Sequence, residues 1–413
     1  MSSSIKHGQF LLYAILFAAV AGIACGWFFG DSMKSVSWLG KLFLDALKMT
    51  IIPLIVAAVI SGVSSLGDIR NLGKLGGLTV LYYAVTTALA VLTGLILVNI
   101  IQPGTGNSSI THMQPDEFTA SEPVGFIDII HSLISPNLLA AAVDTQLLPI
   151  IIFCLIFGAA LSTTGKTGEP VINFFNGMNE VMMKIVNWIM VFAPVGIFAM
   201  IASRLGEAGG GEAFFQEISQ VGLYIVTVAV GLLIHFFVLL GLLLLFTSNA
   251  IAYLTCMLRA LLTAFGTASS SATLPLTMEC ALEGGVDKRV VKFVLPLGAT
   301  VNMDGTALYE AVAVMFIAQA YAISMDLGQQ TIIFLTATLA AIGAAGIPQA
   351  GLVTMIIVLT AVNLPLEGIG LLLAVDWFLD RLRTTVNVWG DSTGAALMGR
   401  VLSPGQESTQ SFT

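Results

Sequence analysis

The chain has 413 residues, of which 57% are hydrophobic and only 10% are charged. Soluble domains usually carry about 25% charged residues. This composition, with a mean hydropathy of +0.94, therefore excludes an ordinary soluble fold and indicates a multi-pass protein of the lipid bilayer. The formal net charge of −8 and the lack of a basic cluster argue against nucleic acid as a partner.

In chain order, the first apolar run extends from Phe10 to Phe29. It is long enough to cross a membrane and ends without a small-residue cleavage site, so we expect a transmembrane helix rather than a signal peptide. Several later runs are too long for one perpendicular crossing, which predicts tilted or broken helices. The later runs are Leu39–Ile60, Gly76–Ile101, Ile127–Leu161, Val171–Ala202 and Val221–Phe246.

Basic residues near the ends of these runs predict the topology. Those of one side are Arg70, Lys74, Lys166, Lys288, Arg289 and Lys292. The loops of the other side, around Glu117 and Glu212, carry almost none. Since short cytoplasmic loops are enriched in Lys and Arg, we expect the first side and both termini to be cytoplasmic. Lys34 and Lys41, after the first run, are the exceptions.

Two further stretches are predicted to be re-entrant hairpins. Ile251–Gly285 begins and ends on the cytoplasmic side and has a polar break at Thr267–Pro275. Thr331–Pro365 repeats this pattern from the opposite side, with its tip at Ala341–Gly351. The sequence therefore predicts an all-α fold of eight transmembrane helices plus two oppositely oriented re-entrant hairpins.

Each hairpin precedes a long apolar segment that polar residues are expected to interrupt, at Asn302–Thr306 and at Asp376–Asp391. At 100° per residue the second set forms one stripe, with Arg381 set to one side. The stripe consists of Asp376, Asp380, Arg383, Thr384, Asn387 and Asp391. An ionisable side chain near the bilayer centre costs roughly 2.5–3.5 kcal/mol, so the stripe must face partners or ligands. A hairpin with a broken helix, occurring twice with inverted topology, is typical of a secondary transporter with a midplane site.

The residue types at these breaks indicate the ligands. Carboxylate, amide and carbonyl oxygens suit a small hard cation, and they come from Asn302, Asp304, Asn387, Asp391 and the backbone near Gly298 and Thr300. The hairpin tips, at Ser269–Ser271 and Gly346–Gly351, can present N–H groups to an anion. Arg383 suits a second carboxylate, and Asp380 one turn earlier suits an ammonium group. One amine and two carboxylates describe an acidic amino acid.

Four motifs resemble the glutamate transporter family, the dicarboxylate/amino acid:cation symporters. They are Ser269–Pro275, Asn302–Glu310, Gly343–Gly351 and Asp376–Asn387. The resemblance implies a secondary active symporter for glutamate or aspartate that works as an elevator within a homotrimer. It further implies a trimerising scaffold of residues 1–70 and 106–205, and a mobile transport domain of residues 71–105 and 206–413.

The resemblance also implies the roles of individual residues. Substrate would be bound by Arg383, Asp380, Thr384, Asn387, Thr306, Ser270, Ile347 and Gly351. One sodium site would use Gly298, Asn302, Asn387 and Asp391. A second would use Thr300 with carbonyls of Ala341, Ile342 and Ala344. A third would use Tyr83, Thr86, Thr87, Asn302 and Asp304, although interhelical hydrogen bonding alone could also account for residues 83, 86 and 87.

Within the resembling family, Glu310 and Arg381 match the animal excitatory amino acid transporters, which implies proton co-transport and potassium counter-transport. Glu310 is then expected to carry the proton, with Arg381 as its electrostatic counterweight; a permanently ionised Glu310–Arg381 pair is the alternative. The short loop after the third span instead favours a bacterial inner-membrane protein.

Other functions remain as alternatives. A passive channel would need a continuous ring of pore residues, which inverted repeats disfavour. An intramembrane aspartyl protease could use Asp304 and Asp391, but this would not explain Arg383, so we expect no enzyme. A C4-dicarboxylate symporter of the same fold is the nearest alternative, and its substrates would leave Asp380 without an amine to bind.

The cysteines and histidines show no disulfide or metal-ligand spacing, which predicts packed thiols and single polar or interfacial histidines. The residues concerned are Cys25, Cys154, Cys256, Cys280, His7, His112, His131 and His235.

Overall fold

The computed structural model describes residues 2–64, 73–105, 131, 133–144, 146–207, 212–247, 249–342 and 350–402, and this part of the chain is predominantly helical, without strands. The helices are α1 (Ser2–Phe29), α2 (Ser37–Ser64), α3 (Gly73–Ile101), α4 (Leu138–Val143), α5 (Leu147–Ser162), α6 (Glu169–Val191), α7 (Ala193–Glu207), α8 (Glu212–Phe246), α9 (Ala250–Thr267), α10 (Ser270–Glu283), α11 (Lys288–Val301), α12 (Asp304–Ala320), α13 (Leu327–Ile342), α14 (Ala350–Ala361) and α15 (Ile369–Leu402). Short 3₁₀ turns lie at Gly30–Val36, Gly165–Thr167 and Leu366–Gly368.

Five apolar segments of the described chain are long enough to cross a membrane, and a bent pair of helices would make six. The five are Phe17–Ser64, Lys74–Ile101, Val221–Phe246, Ala250–Thr267 and Lys288–Ala320. These segments agree with a multi-pass membrane protein. The count of eight spans and the orientation of the termini stay predictions.

The bent pair is α6 and α7, which meet at an angle of 53°. The sequence predicted one long apolar run here, and the structure breaks it at Phe192, just before Ala193 and Pro194. Proline lacks a backbone N–H and its ring clashes with the preceding turn, so the helix cannot continue straight through this point. The expectation of broken helices in the long runs is confirmed at this position.

The helices pack in two groups. In the first, α1 lies along α7, and α2 contacts α5, α6 and α7. In the second, α3 contacts α8 and α12, α15 contacts α8, α9, α11 and α12, and both α13 and α14 contact α12. A Cβ on Gly94 of α3 would lie 2.9 Å from the carbonyl oxygen of Leu308. The absent side chain therefore lets α3 and α12 approach closely.

The first hairpin consists of α9 and α10, which pack against each other. Ala268 turns the chain with a left-handed φ of 51°, and Ser269 then caps α10 by accepting a hydrogen bond from the Ala272 N–H. Serine is a favoured N-cap because its hydroxyl satisfies a free N–H of the first turn. The polar break at Thr267–Pro275 therefore forms the predicted tip. In the second hairpin, α13 and α14 also pack together, while residues 343–349 at its tip lie outside the described part.

One predicted helix break is confirmed and the other is wrong. Asn302 and Met303 leave the helical conformation between α11 and α12, with φ/ψ of −102°/92° and −116°/55°. In contrast, α15 runs unbroken through all 34 residues from Ile369 to Leu402. Its polar stripe contacts neighbouring side chains laterally, so the helix can keep all its backbone hydrogen bonds.

Candidate functional site

The predicted polar stripe of α15 is buried along its whole length. Its six side chains are between 1% and 7% exposed. Burial of so many polar groups is unfavourable unless each finds a partner. The groups that contact them come from α11, α12, the break between these two helices and Gly351 at the start of α14, so the site lies within the second packing group.

Arg383 forms the densest cluster of charged contacts in the stripe. Its Nη2 donates to Asp380 Oδ1 at 2.8 Å and lies 3.0 Å from Asp376 Oδ1. The guanidinium carbon lies 3.9 Å from the centre of the Tyr309 ring, a cation–π arrangement. Among the described residues, Nε and Nη1 have no hydrogen-bond acceptor. A Cβ on Gly351 would overlap Nη1, so the start of α14 lies directly against the guanidinium.

Asn387 joins α15 to the start of α12. Its Oδ1 accepts the Gly305 N–H at 2.7 Å, and its Nδ2 donates to Thr306 Oγ1 at 3.2 Å and to Met303 Sδ at 3.3 Å. Thr384, one turn before it, is also buried. The predicted substrate contacts at 306, 384 and 387 are therefore brought together around the helix break.

Asp391 faces the other side of the break. Its Oδ1 accepts a hydrogen bond from Asn302 Nδ2 at 3.1 Å. A Cβ on Gly298 would overlap this carboxylate and would lie 2.7 Å from Tyr83 Oη. Asn302 Oδ1 is buried and has no hydrogen-bond donor in the described part of the protein. The break therefore places a buried amide oxygen and a buried carboxylate close together. Hard cations prefer oxygen ligands of these two kinds.

Asp304, the first residue of α12, accepts hydrogen bonds from two hydroxyl groups of α3. Its Oδ1 accepts hydrogen bonds from Thr87 Oγ1 at 2.7 Å and from Thr86 Oγ1 at 3.3 Å. Its Oδ2 lies 3.2 Å from His235 Nε2. A carboxylate at a helix N-terminus is favoured by the helix dipole. Of the predicted set, Thr86, Thr87 and Asp304 are therefore in direct contact, together with a histidine that was not assigned to the set. The Tyr83 hydroxyl donates instead to the Val294 carbonyl oxygen at 2.7 Å, and Asn302 lies two residues before Asp304.

Neither buried aspartate of this break, Asp304 or Asp391, is paired with a lysine or arginine within the described residues. The described residues also contain no cluster of three His, Cys, Asp or Glu side chains that could hold a metal ion. Any cation here must therefore rely partly on amide, hydroxyl and backbone oxygens. Uncompensated carboxylates in a dry site are costly, and a bound monovalent cation would offset that cost.

The remaining predicted cation ligands are only partly described. Ala341 is buried and Ile342 half-buried at the end of α13, which contacts α11. Thr300 lies near the end of α11 with its side chain exposed. Ala344 and Ile347 fall outside the described residues, so the second predicted cation site stays a prediction.

Arg381 lies against the first hairpin. Its Nη1 donates to the carbonyl oxygens of Phe265 and Gly266 at 2.9 and 2.7 Å, at the end of α9. Cationic groups bound to the last carbonyls of a helix also complement its dipole. Ser270, the predicted substrate contact of this hairpin, is buried at the start of α10, which packs against α15.

Glu310 is fully buried on α12. Neither carboxylate oxygen accepts a hydrogen bond of normal geometry within the described residues, and the groups that act on it are the Thr354 hydroxyl and the Arg383 guanidinium. The structure therefore places Glu310 beside Arg383, while Arg381 binds the first hairpin.

Three site residues were not assigned by sequence reasoning: Asp376 as a partner of Arg383, Tyr309 beneath its guanidinium, and His235 on Asp304. The sequence could have indicated Asp376 as a partner, since it lies on the same helical stripe as Arg383. No sequence pattern indicated His235, because it is 69 residues from its partner and its neighbours are apolar. The four cysteines are free; Cys154 and Cys280 are buried, whereas Cys25 and Cys256 are half-buried.

The chain is similar over most of its length to known membrane transporters. Residues 11–401 match the model of the sodium:dicarboxylate symporter family. The chain belongs to this family. It is 38% identical to excitatory amino acid transporter 1 of Ambystoma tigrinum over 456 residues, covering 95% of the chain and 83% of the relative. Human excitatory amino acid transporter 3 is 40% identical over 418 residues, covering 88% and 78%. The putative sodium-dependent excitatory amino acid transporter glt-4 of Caenorhabditis elegans is 38% identical over 460 residues, covering 97% and 91%.

These relatives are transporters, so the protein is a membrane transporter and not an enzyme. The hypothesis of an intramembrane aspartyl protease at Asp304 and Asp391 is thereby excluded.

Proposed function

We propose that this protein is a secondary active symporter that carries glutamate or aspartate and is driven by sodium. The observation that carries the proposal is the buried cluster of Arg383, Asp380 and Asp376, which holds a guanidinium and a nearby carboxylate in a dry site. The sodium-dependent and excitatory amino acid transporter names of the relatives support the same substrate and ion.

The geometry suggests how the substrate binds. The Nε and Nη1 groups of Arg383 are available to the side-chain carboxylate of the substrate, while Asp380 can exchange its bond to Arg383 for one to the substrate amine. Both new bonds are charge-assisted and therefore strong. Thr306, Thr384 and Asn387 lie next along the same stripe, and Ser270, Ile347 and Gly351 of the two hairpins would complete the pocket.

The charge of the site supports sodium coupling. If Arg383 and the four buried aspartates, Asp304, Asp376, Asp380 and Asp391, are ionised, their formal charges sum to −3. An ionised Glu310 would make the sum −4, and an acidic amino acid adds one more negative charge. Cations must enter with it to limit this repulsion. We assign one sodium ion to Gly298, Asn302, Asn387 and Asp391, and another to Tyr83, Thr86, Thr87, Asn302 and Asp304. A further site would use Thr300, Ala341, Ile342 and Ala344.

We assign proton coupling, with potassium as the return ion, to Glu310. Its full burial, without a hydrogen bond among the described residues, disfavours the charged form unless a counter-charge is near. Arg383 is that counter-charge when the site is empty. A substrate carboxylate that binds Arg383 would weaken its hold on Glu310, which couples substrate binding to proton uptake.

A C4-dicarboxylate symporter is the second candidate, since the family is named for sodium:dicarboxylate symport. Asp380 decides between the two, because a substrate without an amine would leave its carboxylate facing a second carboxylate. Two carboxylates that face each other in a buried site repel strongly. The amino acid is therefore the better fit.

We further propose that the first packing group is a fixed scaffold within a homotrimer and that the second moves across it as an elevator. The homotrimer is supported by α6, whose outward face carries exposed Phe174, Val181 and Trp188 together with Glu180 and Lys184 in the middle of the helix. Charges at mid-span should not face lipid, whereas another protein can cover them. We place the protein in a bacterial inner membrane with both termini cytoplasmic.

Reconstitution tests the proposal. Purified protein in liposomes is assayed for uptake of labelled aspartate, glutamate and succinate under imposed sodium, proton and potassium gradients. We expect aspartate or glutamate uptake that requires an inward sodium gradient. Succinate uptake exceeding both amino acids would establish the C4-dicarboxylate alternative, and uptake indifferent to sodium would refute the coupling.

A further inference from the structure

His235 lies on α8 and is directed at Asp304. Both side chains are 0% exposed, and Nε2 lies 3.2 Å from Asp304 Oδ2. The other ring nitrogen, Nδ1, is buried without a hydrogen-bond partner in the described part of the chain. The hydrogen-bonding capacity of this buried imidazole is therefore used at Asp304.

The two oxygens of Asp304 have separate partners. Oδ1 faces the hydroxyls of Thr86 and Thr87 on α3, whereas Oδ2 faces the imidazole on α8. A carboxylate that is held at one oxygen cannot rotate about its Cβ–Cγ bond without losing that contact. Groups that orient the ligands of a metal ion in this way contribute to its affinity without touching it.

We propose that His235 is a positioning residue for the sodium site of Asp304, Thr86 and Thr87. Its Nε2–H donates to Oδ2 and keeps Oδ1 turned toward the threonine hydroxyls. This donation requires that Nε2 carries a proton, which holds for the Nε2–H tautomer of the neutral imidazole and for the charged imidazole. The inference rests on the sodium coupling proposed above, and it adds α8 to the elements that shape a cation site.

Replacing His235 by Gln or by Asn, two amides of different length, tests whether an N–H donor to Asp304 Oδ2 is required. Gln can extend an N–H toward Oδ2 from the same backbone position, whereas Asn is one methylene shorter. We expect His235→Gln to keep a sodium affinity within about threefold of the wild type, and His235→Asn to lose roughly tenfold or more, the size expected for one hydrogen bond to a charged group. His235→Leu, which keeps bulk without a donor, should behave as His235→Asn.

The readout is sodium binding without transport. The melting temperature of the detergent-solubilised protein is followed against sodium concentration, with choline replacing sodium at constant ionic strength, because a ligand that binds the folded state raises this temperature by mass action. The sodium concentration at which the melting temperature begins to rise reports the sodium affinity. It does so even for a variant whose melting temperature without sodium is lower than that of the wild type. Tyr253→Phe is the matched control, since it removes another buried hydrogen bond, from Tyr253 Oη to the Ser392 carbonyl oxygen, without a contact to Asp304.

A double-mutant cycle separates positioning from general destabilisation. His235→Leu and Thr87→Val both act through Asp304, so their effects on sodium affinity should be less than additive, whereas those of His235→Leu and Tyr253→Phe should add. Equal sodium affinity in the wild type, His235→Asn and His235→Leu would overturn the positioning role, as would a His235→Gln variant no better than His235→Asn. A wild type that sodium does not stabilise would instead refute the proposed coupling itself.

Discussion

Arg383 combines contacts that are rarely found together in a membrane interior. The guanidinium is 1% exposed, hydrogen-bonded to Asp380, ion-paired with Asp376, placed over the ring of a tyrosine and in contact with a glycine of the second hairpin. Under the proposed function, Asp376 and Asp380 hold the guanidinium in position, so its remaining N–H groups are pre-organised for a substrate carboxylate. Pre-organisation of this kind lowers the cost of ordering the site on binding.

Replacing Arg383 by Cys should abolish uptake of acidic amino acids and admit neutral ones such as serine or cysteine. A substrate carboxylate without its partner loses charge-assisted bonds in a dry site, on the order of 2–5 kcal/mol, or about 30-fold upward in affinity. Competition of unlabelled amino acids against labelled aspartate and serine in proteoliposomes measures the change. Near-normal aspartate affinity in the variant would contradict the assigned role.

Asp380 and Asp391 should separate substrate binding from sodium binding. Asp380→Asn removes the charge that faces the substrate amine, so amino acid affinity should fall by about tenfold or more while sodium binding changes little. Asp391→Asn should do the reverse, because its carboxylate faces Asn302 and Gly298 across the helix break. Titrations of sodium alone, and of substrate at saturating sodium, distinguish the two. An identical loss of sodium dependence in both variants would refute this division.

Glu310→Gln keeps the size of the side chain and removes its titratable proton. Amino acid exchange should continue in this variant, but proton movement and any potassium-dependent return step should disappear from net uptake. The pH inside proteoliposomes during uptake gives the measurement, with Glu283→Gln on the exposed face of α10 as a control that should leave proton movement intact. Substrate-driven acidification that persists in Glu310→Gln would exclude this residue as the carrier.

The contrast between Asp376 and His235 indicates which site residues a sequence can reveal. Asp376 was visible because helical periodicity places it on one face with Arg383, and this local rule was sufficient to predict the stripe. His235 meets Asp304 only through the packing of α8 against α12, over a separation of 69 residues. Pairings set by tertiary packing leave no periodic pattern in one sequence.

At the scale of helices, the break between α11 and α12 positions the groups proposed to bind cations. Asn302 Oδ1 lies at the break without a hydrogen-bond donor among the described residues, and Asp304 lies at the N-terminus of α12. The sequence predicted this break from polar residues beside a glycine in an apolar segment. The same reasoning wrongly predicted a break in α15. There the polar groups are side chains with lateral partners, so no backbone group needs to be released.

Gly298→Ala tests how closely the break is packed. The added Cβ would overlap the Asp391 carboxylate and press on Tyr83 Oη, so sodium affinity should fall by about tenfold or more. Gly241→Ala on α8 is the matched control, because its Cβ would meet nothing within 4 Å and alanine favours a helix by about 1 kcal/mol over glycine. Sodium-dependent thermal stabilisation of both variants gives the comparison. Unchanged sodium binding in Gly298→Ala would place the cation elsewhere.

For the whole molecule, the interface between the two packing groups decides whether the site can move as a unit. Helix α2 contacts α13 and α14, and α7 contacts α15. A small cavity lies between Leu54, Ala58 and Ile151 of the first group and Ala340, Thr354 and Ile357 of the second. Seven of the eight residues around this cavity are apolar. Apolar surfaces slide past one another more easily than hydrogen-bonded ones, so this part of the interface is compatible with the proposed elevator.

Two cysteine pairs of equal spacing test that movement in a variant that lacks the four native cysteines. A Cβ on Gly370 of α15 would lie 2.9 Å from the Met200 Cβ of α7, and a Cβ on Gly158 of α5 would lie 3.0 Å from the Val63 Cβ of α2. After a small relaxation, both pairs come within reach of a disulfide. The first pair joins the two packing groups, while the second joins two helices of the first group.

Oxidation of Gly370→Cys with Met200→Cys should therefore stop uptake and leave sodium and aspartate binding in place, and reduction should restore uptake. Oxidation of Gly158→Cys with Val63→Cys should change neither. Full transport by the oxidised cross-group pair would show that the groups need not move apart.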